Sequence, residues 1–360
     1  MPLIEEIPVD KPDGGRESVK VLIVAVEQTA GSALYGMVDV LMAAGNLWQA
    51  MAGEPEHRMF HVDIVALDRA PFRCGHGIPV IPDFSITDNP GGEILILPEL
   101  WLGPDESLHG QYPALIAWIK RKFQEGITIY SACSGTVMLA ETGLLNGYEA
   151  TSHWGYQDLF RKHYPEVHFQ AQPNLVFSDP SARIVTAGGA TSWHDLALHI
   201  IARHGSPGEA LRIAKVYLLK WHEESQLPFT PLVRRSLHGD SVVRHCETWL
   251  AEHFRVNGAL QKLVEVSDIP ERSLKRRFKA ATGHTLIEHL HNLRVEEAKK
   301  MLETTHSPVA EISAAVGYED ISFFRALFRR LTGLTPGQYR RLFQPILRDG
   351  EQKRSCEQVV

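Results

Sequence analysis

The sequence predicts an α/β domain built on a parallel sheet, followed by an all-α domain with two helix-turn-helix motifs. In the first two-thirds of the chain, short apolar runs alternate with helical patterns, which is typical of a parallel sheet covered on both faces. In the last third, one helical pattern recurs at an offset of 50 residues, which indicates a supersecondary unit used twice. A chain of 360 residues is long enough for two such domains.

The front domain contains four continuous apolar runs that we expect to be buried strands. They lie at 21–26, 62–67, 94–97 and 127–130. Helical patterns at 37–51 and 114–123 separate them, and another runs from 207 to 224. Pro228, Pro231 and Gly239 then break the periodicity, so we expect a linker over 226–239.

Cys133 follows the fourth candidate strand and precedes a helical run that begins near Val137. Its small neighbours Ala132 and Gly135 allow a sharp strand-to-helix turn, which exposes a residue at the carboxyl edge of the sheet. The dipole of the following helix predicts a lowered thiol pKa. Two interpretations stay open, because Cys133 is either a nucleophile or pocket residue, or a buried structural cysteine.

The two copies of the C-terminal repeat lie at 273–283 and 323–333. Each combines a short helix, a turn and a basic amphipathic helix that ends at glycine, which is the form of a helix-turn-helix whose second helix enters the major groove of DNA. The outward candidates for DNA contact are Arg272, Ser273, Lys275, Arg276 and Lys279 in the first copy, and Ser322, Phe323, Arg325 and Arg329 in the second. Arginine can read guanine through two hydrogen bonds; a phosphate contact or a solvated side chain is the alternative for any one of them.

Charge is unevenly divided along the chain. Residues 1–238 hold 18 Lys and Arg against 27 Asp and Glu, a net charge of −9, whereas residues 239–348 hold 17 against 13, a net charge of +4. An acidic front domain with a basic rear domain suits a DNA-binding module attached to a domain of another function.

Composition also excludes several classes of protein. The four cysteines show neither a CxxC motif nor metal-ligand spacing, so we expect no disulfide framework, metal or cofactor, and a cytoplasmic location. Apolar runs are too short for a membrane helix, so no membrane partner is expected. We expect a flexible arm over 1–18, without the pattern of a secretory signal, and a flexible tail over 344–360.

The stretch from Ala132 to Trp154, together with 186–191, resembles the ThiJ/PfpI domain of the class I glutamine amidotransferase-like superfamily. The resemblance covers about residues 19–205 and implies a flavodoxin-like α/β sandwich, with the domain assigned to 19–225. Ser134 stands where protease-like members have histidine, and Ala33 where hydratase-like members have an acidic residue. A Pro-Glu-Leu-Trp sequence at 98–101 replaces a Gly-Gly turn that would favour an oxyanion site.

These departures from the enzymes of the superfamily lead us to expect no catalytic residues but a retained ligand pocket. Its candidate residues are Cys133, Ser134, His153, Glu99 and Trp101. For His153, which is adjacent to Trp154, the alternative is a hydrogen-bonded core residue.

The rear repeat is similar to the AraC/XylS-type DNA-binding domain over residues 240–343. Its second signature fits at Gly317-Tyr318, Phe324, Gly333 and Thr335-Pro336. One departure is Ala326, where the family commonly has arginine. Arg325 then reads DNA from a rotated position, or the second helix mainly contacts phosphates.

The order of the two domains resembles the GlxA-type transcriptional regulators. The resemblance implies a ligand-responsive, sequence-specific regulator that binds double-stranded promoter DNA. It also implies a small-molecule effector, with amino acids and quaternary amines as candidates, a homodimer, and RNA polymerase as a further partner. The alternative is an active cysteine-dependent hydrolase or hydratase fused to a DNA-binding domain.

Overall fold

The computed structural model describes residues 18–189, 191–222, 225–233 and 238–344. Apart from Ser18 and Gln344, the predicted arm and tail lie outside these residues. The chain divides into two compact units, Met1–Gln226 and Leu227–Val360. The boundary between them falls inside the range 226–239, where the sequence predicts a linker.

The described part of the first unit is built on a seven-stranded sheet in the order β10-β11-β7-β6-β1-β2-β5. Neighbouring strands are parallel, except that β10 runs antiparallel to β11. The strands, including two short pairs outside this sheet, are β1 (Val19–Val24), β2 (Phe60–Ala66), β3 (Phe72–Cys74), β4 (Ile78–Val80), β5 (Phe84–Ser85), β6 (Ile94–Leu97), β7 (Thr128–Ala132), β8 (Glu149–Ala150), β9 (His168–Phe169), β10 (Leu175–Phe177) and β11 (Ile184–Ala187).

Helices cover both faces of this sheet. They are α1 (Gly31–Ala43), α2 (Leu47–Ala52), α3 (Pro113–Gln124), α4 (Gly135–Glu141), α5 (Gln157–His163), α6 (Ser192–His204) and α7 (Pro207–Val216). Successive side chains of a strand point to opposite faces, so Leu22 and Val24 lie in one apolar core while Val21 and Ile23 lie in the other. The flavodoxin-like parallel-sheet sandwich is confirmed.

Two helix predictions in this unit were wrong in their extent. The pattern at 37–51 spans the end of α1 and most of α2, which are separated at Gly45. Gly45 has φ 83°, and a Cβ there would lie 2.1 Å from the carbonyl oxygen of His57, so the chain turns at a residue that only glycine fits. The pattern at 207–224 ends as a helix at Val216, and Leu218 has φ 55°, a left-handed conformation that does not continue a helix.

The described part of the second unit is all helical apart from its connections. Its helices are α8 (Ser241–His253), α9 (Ala259–Ser267), α10 (Glu271–Thr282), α11 (Leu286–Thr304), α12 (Val309–Ala315), α13 (Ile321–Thr332) and α14 (Pro336–Phe343). Asp240 caps α8 by accepting hydrogen bonds from the N–H groups of Val242 and Val243. One apolar core surrounds α10 and another surrounds α13, and α11 contributes to both.

The two copies of the repeat are equivalent even in individual hydrogen bonds. Thr282 and Thr332 each donate to the carbonyl four residues earlier, on Phe278 and Phe328. The following helices both begin with a capping box, formed by Thr285 and Glu288 in α11. Thr335 and Gln338 form the equivalent box in α14. Residues 50 apart therefore make equivalent contacts, which confirms a duplicated unit.

No helix in the described ranges is both long and apolar enough to cross a membrane.

Candidate functional site

Cys133 occupies a strained turn between β7 and α4, as the sequence predicts. Its φ is 52°, its N–H donates to the carbonyl of Ala187 (3.0 Å), and its own carbonyl accepts from the hydroxyl of Ser152 (2.6 Å). A Cβ on Gly135 would lie 2.2 Å from the carbonyl oxygen of Leu97, so glycine is required for α4 to approach the sheet. The turn thus places Cys133 at the carboxyl edge of the parallel strands, where ligands bind in this kind of fold.

The thiol of Cys133 does not have the low pKa that the sequence predicts. The residue is only 3% exposed, so the predicted exposure at the turn was wrong and Cys133 is buried, and its Sγ lies 3.6 Å from Oε1 of Glu99. Burial raises the thiol pKa and the Glu99 carboxyl raises it further, so that prediction was wrong. Burial also raises the pKa of Glu99. Desolvation and an acidic neighbour both disfavour the thiolate, which is the reactive form of cysteine.

Ser134 fixes the loop that carries Glu99. Its hydroxyl accepts a hydrogen bond from the N–H of Leu100 (2.7 Å) and donates one to the carbonyl of the same residue (2.5 Å). Ser134 is completely buried. At the position where protease-like relatives carry histidine, the side chain therefore holds backbone in place instead of exchanging protons.

The other two candidate pocket residues, His153 and Trp101, have different surroundings. His153 follows Ser152, which binds the Cys133 carbonyl; its Nδ1 accepts from the N–H of Gly155 (3.0 Å) and its ring packs on Trp154. The Trp101 ring packs on His76 with 4.5 Å between centroids and is 51% exposed. The structure brings Cys133, Glu99 and Ser134 together, sets His153 next to them through Ser152, and places the Trp101 ring on His76.

Tyr156 belongs to the same cluster and was not predicted. It is buried, its hydroxyl donates to the carbonyl of Leu102 (3.0 Å), and its ring lies 6.0 Å from that of His153. Burial raises its pKa, and the neighbouring Cys133 and Glu99 act in the same direction. No pattern in the sequence indicates that Tyr156 belongs to this site, because it lies in an irregular polar stretch.

The second unit exposes one side of each repeat helix, α10 and α13. The nine side chains predicted to face outward are all exposed: Arg272, Ser273, Lys275, Arg276, Lys279, Ser322, Phe323, Arg325 and Arg329. Their inward counterparts are completely buried: Leu274, Phe278, Phe324 and Phe328. The predicted orientation of both helices is confirmed, and DNA contact by these nine residues stays a prediction.

The two exposed faces differ in charge and surroundings. In α10, Lys275 pairs with Glu271 one turn earlier (2.5 Å), whereas Arg276 forms no ion pair with any described residue. In α13, the half-exposed Phe323 ring lies beside the rings of His291 and Tyr318. Arg325 and Arg329 of α13 likewise form no ion pair with any described residue, so the second face differs from the first by its half-exposed aromatic ring.

Arg294 connects the end of α8 to the turn of the second helix-turn-helix and was not predicted. It is 8% exposed; Nε donates to the carbonyl of Phe254 (2.8 Å), Nη1 donates to that of Gly317 (2.9 Å), and the guanidinium lies over the Tyr318 ring. Phe254 ends α8, and Gly317 lies in the turn of the second helix-turn-helix. A charged residue on the inner face of α11 was the available signal, since buried arginines need partners.

The sequence comparisons agree with both units. Residues 19–203 match the DJ-1/PfpI family model, and residues 263–342 match a helix-turn-helix domain model. The chain is 27% identical to the HTH-type transcriptional regulator CdhR of Pseudomonas aeruginosa over 78% of this chain and 83% of that one. It is 26% identical to the HTH-type transcriptional regulator ArgR of the same organism (67% and 72%), and 24% identical to the HTH-type transcriptional regulator GlxA of Rhizobium meliloti (62% and 68%).

A DJ-1/PfpI domain followed by an AraC-type helix-turn-helix domain defines a class of transcriptional regulators. This chain belongs to the DJ-1/PfpI family and has that two-domain arrangement.

Proposed function

We propose that this chain senses a small molecule with its first unit and reads promoter DNA with the two exposed helices of its second unit. It is an AraC-type transcriptional regulator with a DJ-1/PfpI domain. The observation that carries the DNA-reading role is the duplication of α10 and α13, with the same inward packing and outward side chains at both. Two such helices on one unit can contact two segments of the major groove.

The DNA-reading role is tested by selecting bound sequences from a random duplex library with the full-length protein. A regulator of this kind enriches a defined motif, and its affinity for that motif falls steeply with salt because bound phosphates release counterions. Enrichment of no motif would contradict sequence-specific binding.

The sensing role rests on the turn at Cys133. The strained geometry is retained, yet burial and Glu99 keep the thiol protonated, and Ser134 is committed to the backbone of Leu100. Such a site is suited to binding a ligand rather than attacking one, which supports a non-enzymatic role. We propose Glu99, Trp101, Cys133, Ser134 and His153 as the residues around the effector, with amino acids and quaternary amines as its candidate classes.

A thermal-shift screen of amino acids and quaternary amines tests the sensing role. A ligand present at 100 times its Kd stabilises the folded state by about 2.7 kcal/mol. Replacing both Cys133 and His153 by alanine should remove the shift and leave DNA affinity unchanged. If the double variant responds as the wild type does, the effector binds elsewhere.

The remaining partners follow from this role. We propose a cytoplasmic homodimer, which would present two pairs of reading helices to a promoter, with RNA polymerase as a further partner. Sedimentation of the protein alone and with its selected duplex tests the dimer; a single chain on the whole operator would contradict it.

A further inference from the structure

The last residue of the first unit, Gln226, has its side chain buried in a polar site. It is only 4% exposed. Its Oε1 accepts hydrogen bonds from the N–H groups of Gly189 (3.0 Å) and Trp154 (3.2 Å). Its Nε2 donates to the carbonyls of Ser152 (3.0 Å) and Pro173 (3.1 Å). We call the backbone groups of Ser152, Trp154, Pro173 and Gly189 the carboxamide site.

The carboxamide site is selective in its hydrogen-bonding chemistry. Two N–H donors converge on one oxygen, and two carbonyl acceptors converge on one NH2 group. A carboxylate would place its second oxygen against two carbonyl oxygens, which repel it. An apolar side chain would leave buried donors and acceptors without partners. A primary carboxamide satisfies all four groups.

Gly188 leaves the space that Gln226 occupies. A Cβ on Gly188 would lie 2.5 Å from Nε2 of Gln226, whereas one on Gly189 would lie 3.2 Å from Cδ2 of His153 and 3.4 Å from Oε1 of Gln226. Neither glycine has a positive φ, so backbone conformation does not call for glycine at these positions. Glycine at position 188 therefore fits a site shaped around a carboxamide.

The carboxamide site shares residues with the turn at Cys133. Ser152, whose carbonyl binds Gln226, donates its hydroxyl to the Cys133 carbonyl. Cys133 in turn donates its N–H to Ala187, the residue before Gly188. A shift of the Ser152–Trp154 segment on ligand binding near Cys133 would move the groups that hold Gln226.

The connection to the second unit starts directly after Gln226 and is held again soon afterwards. Within the second unit, the Thr230 carbonyl accepts from Nζ of Lys299 (3.0 Å), and the Leu232 N–H donates to Oε1 of Glu296 (2.7 Å). Three residues separate Gln226 from Thr230. The Gln226 side chain therefore anchors the last residue of the first unit directly before this connection.

We propose that the carboxamide site is a binding site for primary carboxamides that the protein fills with its own Gln226, and that it fastens the start of the connection to the DNA-binding unit. The regulatory consequence rests on the proposed function: an effector that moves Ser152–Trp154 would release the Gln226 side chain, directly before the connection to the DNA-binding unit. The binding site itself requires neither effector nor DNA.

The experiment uses the full-length protein with Gln226→Ala, which empties the site, and Gln226→Met, which fills it without polar groups. Acetamide is the probe, and sodium acetate at the same concentration is its matched control. In Gln226→Ala we expect faster hydrogen exchange at the Gly189 and Trp154 amides, and acetamide should restore their protection and raise the melting temperature. Acetate should do neither, and Gln226→Met should not respond to acetamide.

Two outcomes would overturn the proposal. Unchanged exchange at Gly189 and Trp154 in Gln226→Ala would show that Gln226 does not hold them, and an equal response to acetate would show a non-specific solvent effect. If Gln226→Ala does not fold, Gln226→Asn provides the test, because a carboxamide one methylene shorter should give partial protection that acetamide raises. If Gln226→Ala responds to acetamide but the wild type enriches no DNA motif, the proposed function is contradicted and the carboxamide site is not.

Discussion

At the scale of single residues, the acid–base state of the Cys133 thiol distinguishes this turn from one that carries a cysteine nucleophile. The thiol is buried beside Glu99, and both burial and that carboxyl raise its pKa. A cysteine nucleophile needs the reverse, a thiolate stabilised by positive charge or donors. The turn therefore has the geometry of one that carries a nucleophile, whereas the thiol has the acid–base state of a cysteine that does not act as one.

Iodoacetamide should alkylate Cys133 slowly at neutral pH, with a rate that rises only above the pH at which an ordinary thiol ionises. Glu99→Gln removes the acidic neighbour that disfavours the thiolate, so its thiol pKa should fall and alkylation should quicken. Mass spectrometry of the peptide containing Cys133 measures the rate, and Cys133→Ala identifies the signal. Rapid alkylation near pH 7 together with turnover of a small amide or nitrile would revive the enzyme alternative.

Arg294 is the residue whose loss should most disturb the second unit. It binds the carbonyls of Phe254 and Gly317, so Arg294→Met leaves both without their charged donor. Hydrogen bonds to charged groups contribute about 1.5–3 kcal/mol each, so we expect a loss of roughly 3 kcal/mol. Hydrogen exchange at the end of α8 and in the turn at Gly317 measures it.

Arg294→Lys is the matched control, since it keeps the charge but cannot form both bonds in the same geometry. It should lose less protection than Arg294→Met. Equal protection in both variants and the wild type would mean that Arg294 does not hold the end of α8 to the turn at Gly317.

At the scale of elements, α10 and α13 are equivalent in packing but unequal in their exposed faces. Arg276 projects from α10, while α13 carries Ala326 where an arginine is common in related domains, with Arg325 beside it. We expect base reading mainly from α10 and anchoring mainly from α13.

Arg276→Ala should weaken binding to the selected motif by about 1–3 kcal/mol while changing affinity for a scrambled duplex little. Arg325→Ala, the matched change on the other helix, should weaken both duplexes similarly and reduce the salt dependence by about one phosphate. Fluorescence anisotropy at several salt concentrations measures both. Equal losses of specificity in the two variants would refute the inequality of the helices.

The repeat shows which elements a sequence can reveal. Packing at Leu274 and Phe278, and the helix ends at Gly283 and Gly333, follow from local periodicity and backbone preference, so they were predictable. The contacts of Arg294 and Gln226 join residues far apart in the chain, and no local pattern specifies them. The same holds for Cys133: its turn is local, but its pKa depends on burial by distant segments and on Glu99, 34 residues away.

At the scale of the whole molecule, histidines that are buried or partly buried in both units predict sensitivity to acid. Burial lowers the pKa of five histidines: His194, His199, His204, His289 and His291. The pKa of His204, which is hydrogen-bonded to Tyr130, falls to about 4. Between that value and about 6.5, the unfolded chain binds more protons than the folded one, so stability falls as pH falls.

The free energy of unfolding should therefore decrease from about pH 6.5 toward pH 4, and His204→Gln should show a shallower decrease than the wild type. The slope against pH is the measurement, taken from urea titrations at several pH values. His61→Gln, a change at a histidine on the surface, is the control. A slope unchanged in His204→Gln would contradict a buried neutral histidine.

The long helix α11 has a consequence for how the promoter can evolve. Its 19 residues span about 28 Å, and it contributes to the apolar core around α10 and to that around α13, so the spacing of the two reading helices is set by the protein. Single base changes in an operator would then alter affinity gradually. An insertion or deletion of about five base pairs between the two contacts would turn one of them to the far side of the duplex, since a helical turn is about 10.5 base pairs. Operators of this protein should therefore tolerate base substitutions far more readily than insertions or deletions between the two contacts.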